Sequence, residues 1–165
     1  MGVSHRDLKY RTNLFDLLVL FRYRKINNLS GIIMKYELHD SQISDILIGK
    51  NKIVLSFSEG FWELGTNGKE SSQKQNSKII FNIDNEFSVP IEDFISIRIS
   101  KRKNVFKPLS LRDFKKLIKK SPFDVDMEYN CDFSSRKFLQ LYSNKIRALV
   151  EIFIEDIKSV EYIHD

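Results

Sequence analysis

Residues 43–57 read ISDILIGKNKIVLSF, and this stretch decides the class of fold. Two short runs of aliphatic and β-branched residues, Ile43 to Ile48 and Ile53 to Phe57, flank the polar tetrapeptide Gly49-Lys50-Asn51-Lys52. Gly and Asn tolerate positive φ, which is typical of a hairpin turn between two strands. The stretch therefore predicts a pair of antiparallel strands.

Similar strand signals continue on both sides of this hairpin, each short and bounded by polar turn residues. Residues 65–77 contain no aliphatic or aromatic side chain, which predicts a surface loop. The predicted fold class is α+β, mainly antiparallel β arranged as a sandwich or open barrel with helices on one side. The further strand candidates are residues 36–39, 61–64, 78–83, 87–91, 94–99, 125–133, 137–142, 146–154 and 159–163.

Residues 110–120, SLRDFKKLIKK, carry the strongest helix signal in the chain. Ser110 and Asp113 have the spacing of a capping box, and Pro122 follows shortly after the last helical residue. The apolar residues recur at helical spacing on one side, and the basic residues lie opposite them. The segment therefore predicts one amphipathic basic helix near residues 111–120.

Residues 1–33 predict an N-terminal helical arm, because Asn13 can cap the apolar run from Leu14 to Phe21. The β pattern begins at Met34, so residues 34–165 are expected to form a single β-rich domain. The same observation raises the hypothesis that Met34 is the natural start and that residues 1–33 are not native.

A short sequence pattern occurs twice, at Ile91 to Ile97 and at Ile154 to Val160. Both copies read Ile-Glu-Asp, an apolar residue, any residue, Ser and another apolar residue. One interpretation is that two strand corners use the same turn chemistry. The other is an internal duplication of the β-domain, with the basic helix in the connection between the halves.

Positive charge is concentrated in residues 98–120, where ten Lys and Arg residues stand against one Asp in a chain of net charge +5. Such a basic band can be a solvated helix face, can attract an acidic protein, or can bind nucleic acid. Exposed aromatics at Phe61 and Trp62 are expected to anchor a protein partner. The candidate partner-binding cations are Arg98, Lys101, Arg102, Lys103, Arg112, Lys115, Lys116 and Lys119.

Composition argues against many enzyme classes. One cysteine and three histidines leave little for a disulfide scaffold, a metal centre or a histidine-rich active site. We therefore predict no catalytic residues, no metal and no cofactor, and no apolar run approaches the roughly 20 residues of a membrane span. A hydrolase remains a third hypothesis, in which His39, Glu92 or Glu155 would have to converge in a pocket.

The stretch Leu38-His39-Asp40-Ser41, followed by Ile43, Ile46, the strand Ile53 to Phe57 and Gly60, resembles the opening of small uncharacterised bacterial proteins, some of which are grouped with immunity proteins of toxin systems. The resemblance covers residues 36–64 and implies a cytoplasmic binding protein. The function predicted is a non-enzymatic, cytoplasmic protein-binding module with an acidic protein partner and no membrane. The alternative is a nucleic-acid-binding accessory protein that uses the band at 98–120.

Overall fold

A computed structural model describes residues 36–65, 70–86, 88–101, 105–131 and 135–164. These residues belong to one compact unit, Met34–Asp165. The predicted arm at 1–33 lies outside the described residues, so the arm and its possible non-native origin stay predictions.

The described residues form mostly antiparallel β-structure with one α-helix, as the sequence predicts at the level of class. The strands are β1 (Tyr36–Glu37), β2 (Gln42–Gly49), β3 (Lys52–Phe57), β4 (Phe61–Leu64), β5 (Glu70–Lys74), β6 (Ser77–Ile83), β7 (Ile95–Ser100), β8 (Lys107–Pro108), β9 (Phe123–Cys131), β10 (Arg136–Ser143), β11 (Ala148–Ile154) and β12 (Ile157–Ile163). A 3-10 helix (Ile91–Phe94) precedes β7, and the α-helix α1 (Leu111–Lys120) lies between β8 and β9.

The strands form two antiparallel sheets. The larger sheet has the order β12-β6-β3-β2-β9-β10-β11-β7-β8, and the smaller one has the order β1-β4-β5. Neither order closes on itself, so the described strands make open sheets. The predicted hairpin at residues 43–57 is confirmed as β2 and β3, and Asn51 in its turn has a φ of 55°.

The strand order of the larger sheet has an internal symmetry. Two meanders, β2-β3-β6 and β9-β10-β11, meet where β2 pairs with β9. The strand after each meander crosses to the other half: β7 pairs with β11, and β12 pairs with β6. The two copies of the sequence repeat stand at equivalent places, each leading into the crossing strand. The internal duplication stays a prediction, and α1 lies in the connection between the halves.

The loop predicted for residues 65–77 is wrong in its middle, because Glu70–Lys74 forms β5 beside β4. The pairing is made by backbone groups, which any side chain permits. A strand shows an apolar pattern in its sequence only where one of its faces is buried in the core. The polar residues of β5 therefore do not predict a strand.

The core lies between the inner faces of the strands and under α1. On β11, alternate residues from Ala148 to Ile154 are fully buried, as expected for a sheet with one solvated face. Phe114 and Ile118 of α1 are also buried, and the Phe114 ring meets the Phe123 ring edge to face at 6.3 Å. The helix is thereby held on the sheet by its apolar side.

Candidate partner-binding surface

The helix α1 begins where its sequence predicts. Ser110 Oγ accepts a hydrogen bond from the Asp113 backbone N–H at 3.1 Å and donates one to Asp113 Oδ2 at 2.8 Å. The N-cap half of the predicted capping box is therefore confirmed, and it satisfies a backbone donor that the first helical turn leaves free, while the Asp113 carboxylate accepts its bond from the Ser110 hydroxyl. The helix ends at Lys120. A buried hydrogen bond of 2.7 Å between the hydroxyls of Ser121 and Ser143 connects the end of the helix to β10.

The outward side of α1 carries a row of cations at positions i, i+3, i+4 and i+7, which share one face of a helix. These residues, together with Leu111, line a shallow open depression. We call this surface the cationic face. Its members are Arg112, Lys115, Lys116 and Lys119.

Most of the charge on the cationic face has no carboxylate partner among the described residues. Lys116 Nζ lies 3.7 Å from Asp113, but both side chains are more than half exposed, so the pair contributes little. Within the part of the chain that the structure describes, no carboxylate forms an ion pair with Arg112, Lys115 or Lys119. The cationic face is therefore available to an external anion or acidic surface.

Lys145 adds a cation that sequence reasoning missed. It lies in the turn between β10 and β11, and its ammonium donates a hydrogen bond to the Lys120 carbonyl at 2.9 Å. A positive charge at this place is favourable, because the last carbonyls of a helix carry partial negative charge. The sequence around Lys145 does not predict this contact, because Lys145 reaches the end of α1 only through the packing of the β10–β11 turn against the helix.

Arg98 does not belong to the cationic face. Its guanidinium lies 2.6 Å from the carboxylate of Glu151 on β11 and 4.8 Å from the ring centroid of Phe153. The charge of Arg98 is paired within the sheet, because β7 pairs with β11 and places Glu151 directly opposite, and its role in partner binding stays a prediction. Lys101 is exposed at the end of β7. Arg102 and Lys103 lie outside the described residues and stay predictions.

The aromatic anchor is also corrected. Phe61 is fully buried, with its ring edge to face against Phe57 at 5.8 Å and against Tyr36 at 5.2 Å. Its side chain lies on the core side of β4, among the rings of Phe57, Tyr36 and Tyr162, so it cannot reach a partner. Trp62, its neighbour on the strand, is half-buried, and a role for it in binding stays a prediction.

The residues of the hydrolase hypothesis do not meet in one site. His39 lies 3.1 Å from Asp40 in the exposed turn after β1, whereas Glu155 lines a groove beside β7 and β11 whose lining includes neither His39 nor Glu92. Within the described ranges, no three His, Cys, Asp or Glu side chains are grouped so that they could hold a metal ion. The geometry gives no support to an acid–base pair involving His39.

A buried polar cluster lies inside the domain. Lys137 is 4% exposed, and its ammonium binds the Glu128 carboxylate at 2.5 Å. Tyr162 stacks on Tyr36 at 4.8 Å. Burial, the nearby charge of Glu128 and the neighbouring Tyr36 together raise the pKa of Tyr162 to about 12. Glu128 and Lys137 lie on β9 and β10 of one half, and Tyr162 lies on β12, which pairs with β6 of the other half.

Comparisons with family models, with curated proteins and with solved structures returned no match to this chain. No helix among the described residues combines the length and the apolar character that a membrane crossing requires.

Proposed function

We propose that this protein is a non-enzymatic binding module that captures an acidic protein partner through the cationic face of α1. The observation that carries the proposal is the row of four cations on a helix face that points away from the sheet. Three of them have no ion pair within the described residues. Charges presented in this way attract an oppositely charged surface from a distance and raise the rate of association.

The contacts that fix α1 on the sheet support this role. Phe114 and Ile118 anchor one side in the core, while Ser121 and Lys145 hold the C-terminal end. A rigid helix loses little conformational entropy on binding, so more of the interaction energy appears as affinity.

On the resemblance of residues 36–64, we propose further that the module acts in the cytoplasm as an immunity-like protein of a bacterial toxin system. The partner would then be a toxin domain with an acidic surface. The mechanism would be steric and electrostatic, with the bound module covering part of the toxin.

Nucleic acid is the second candidate, and the same four cations favour it. The lining of the cationic face contains no aromatic or amide side chain, however, and Leu111 is its one uncharged member. Base stacking and base-edge hydrogen bonds need such groups. The surface therefore fits an acidic protein better than a nucleic acid.

The first test is a pull-down. The full chain is immobilised and incubated with bacterial cell extract, with and without nuclease, and the captured proteins are identified by mass spectrometry. We expect a recurrent acidic protein that survives nuclease. Loss of all captured material on nuclease treatment would contradict the proposal and favour nucleic acid.

Association kinetics with the captured protein then test the surface. Changing Lys115, Lys116 and Lys119 together to Glu should slow association about tenfold or more at low salt. A matched control changes the exposed Lys50, Lys52 and Lys78 to Glu, with the same change in net charge. Equal on-rates for the two variants would remove the cationic face from the mechanism.

A further inference from the structure

A row of aromatic rings crosses the solvent-facing side of the second half of the sheet. The ring centroids of Tyr129 on β9 and Phe138 on β10 are 5.8 Å apart, and those of Phe138 and Phe153 on β11 are 4.8 Å apart. The guanidinium of Arg98 on β7 continues the row at 4.8 Å from Phe153, and Phe106 lies 5.6 Å beyond it. All five side chains are partly exposed, so the row forms a continuous surface of π faces and one cation.

The row opens at one end into an open groove of about 370 Å³. The two repeated Glu-Asp corners meet there, because the Glu155 N–H donates a hydrogen bond to the Phe94 carbonyl at 3.0 Å. Each corner contributes one carboxylate to the rim. The groove is lined by Asp93, Phe94, Ser96, Arg98, Phe153 and Glu155.

The charge of this groove favours a cation. Arg98 is already paired with Glu151 and lies over the Phe153 ring, so its charge is balanced within the chain. Asp93 is exposed and has no ion pair with any residue that the structure describes. The exposed pair of Glu155 with Arg136, at 3.3 Å, is screened by water and easily exchanged.

We propose that this groove is a docking site for a protein partner that inserts an arginine side chain between Asp93 and Glu155. The guanidinium would bind the two carboxylates and lie against Phe94, and apolar neighbours in the partner would pack along Phe138 and Tyr129. A nucleic acid fits poorly, because its affinity comes mostly from phosphates and the charges left over at this groove are carboxylates. The site selects the opposite charge to the cationic face and does not depend on it.

The probe is the peptide acetyl-Phe-Arg-Phe-amide, added at millimolar concentration to the ¹⁵N-labelled full chain. We expect saturable shifts of the backbone amide signals of Phe94, Ser96 and Phe153. The matched peptide acetyl-Phe-Gln-Phe-amide, which keeps the rings and removes the charge, should bind about fivefold more weakly or worse. Absence of shifts at these amides, or equal affinity for both peptides, would overturn the proposal, as would stronger shifts with a short oligothymidylate.

Variants locate the binding. The double change Asp93→Asn and Glu155→Gln should weaken binding of the arginine peptide about fivefold or more. The control pair Asp113→Asn and Glu161→Gln, with the same loss of charge on α1 and β12, should leave it unchanged. Equal weakening by both pairs would mean that the peptide responds to net charge, and the site would be rejected. Charge reversal of the cationic face should not affect this peptide, so the two proposals fail separately.

Discussion

The contrast between two ion pairs shows how burial decides the value of a single residue. Glu128 pairs with Lys137, whose side chain is 3% exposed, whereas Glu155 pairs with Arg136 and both side chains are about half exposed. Water screens the second pair but not the first, and removing one member of a buried pair leaves a desolvated charge.

We therefore expect Glu128→Gln to lower the free energy of unfolding by about 3 kcal/mol or more. The matched Glu155→Gln, which removes an exposed partner, should cost less than about 1 kcal/mol. Urea unfolding of both variants measures the difference. Similar values for the two would contradict a structural role for the buried pair.

Tyr162 makes the stability of the fold depend on pH in the alkaline range. Burial, assisted by Glu128 and Tyr36, raises its pKa from 10.0 to about 12. Between these values the unfolded chain releases the phenolic proton while the folded chain keeps it, so stability is full below pH 10 and falls as the pH rises toward 12. The Tyr162→Phe variant removes this proton, so its unfolding free energy should fall less steeply over that interval than that of the unchanged chain. Parallel curves would show that Tyr162 ionises equally in both states.

At the scale of elements, helix α1 shows which local rules were sufficient. Its first residue, its capping box and its apolar side all follow from residues 110–120, because each is a contact within the helix or a consequence of its period. Strand β5 shows the opposite case, since its formation depends on β4 and not on its own residues.

The cap can be tested directly. Ser110→Ala removes the acceptor of the Asp113 N–H and should lower the free energy of unfolding by about 1 kcal/mol. Ser110→Asn restores an acceptor at the same position and should recover most of the loss. Thermal unfolding by circular dichroism measures both. Equal stability of the Ala variant and the unchanged chain would show that the cap adds nothing here.

At the scale of the whole molecule, the two halves of the large sheet are interlocked. Each half is completed by a strand that the other half's chain segment supplies, β7 on β11 and β12 on β6. Neither meander can keep all its strand pairs if the other unfolds. The described domain should therefore unfold as one cooperative unit.

Trp62, the single tryptophan of the chain, lies on β4, and its fluorescence can be used to test whether the two halves unfold together. Leu139→Ala, a fully buried change in β10 of the second half, should cost about 2–5 kcal/mol. Trp62 fluorescence and far-UV circular dichroism should shift together to the same lower urea midpoint. A Trp62 transition that stays in place would show that the halves unfold separately.

The sequence by itself determined the features that rest on contacts between near neighbours. Short runs of aliphatic and β-branched residues bounded by polar turns indicated the antiparallel β class, the Gly-Lys-Asn-Lys turn indicated the β2–β3 hairpin, and Ser110 with Asp113 indicated the start of the helix. The grouping of Arg112, Lys115, Lys116 and Lys119 also follows from helical period. These need no knowledge of the rest of the chain.

Only the tertiary structure decided which of these residues can act on a partner. Strand pairing set Glu151 opposite Arg98 and so gave that cation a partner within the sheet, and packing against Phe57 and Tyr36 buried Phe61. The same pairing assembled the groove of Asp93 and Glu155 from corners far apart in sequence. Long-range register is fixed by the packing of whole strand faces against one another, and no short stretch of sequence contains that information.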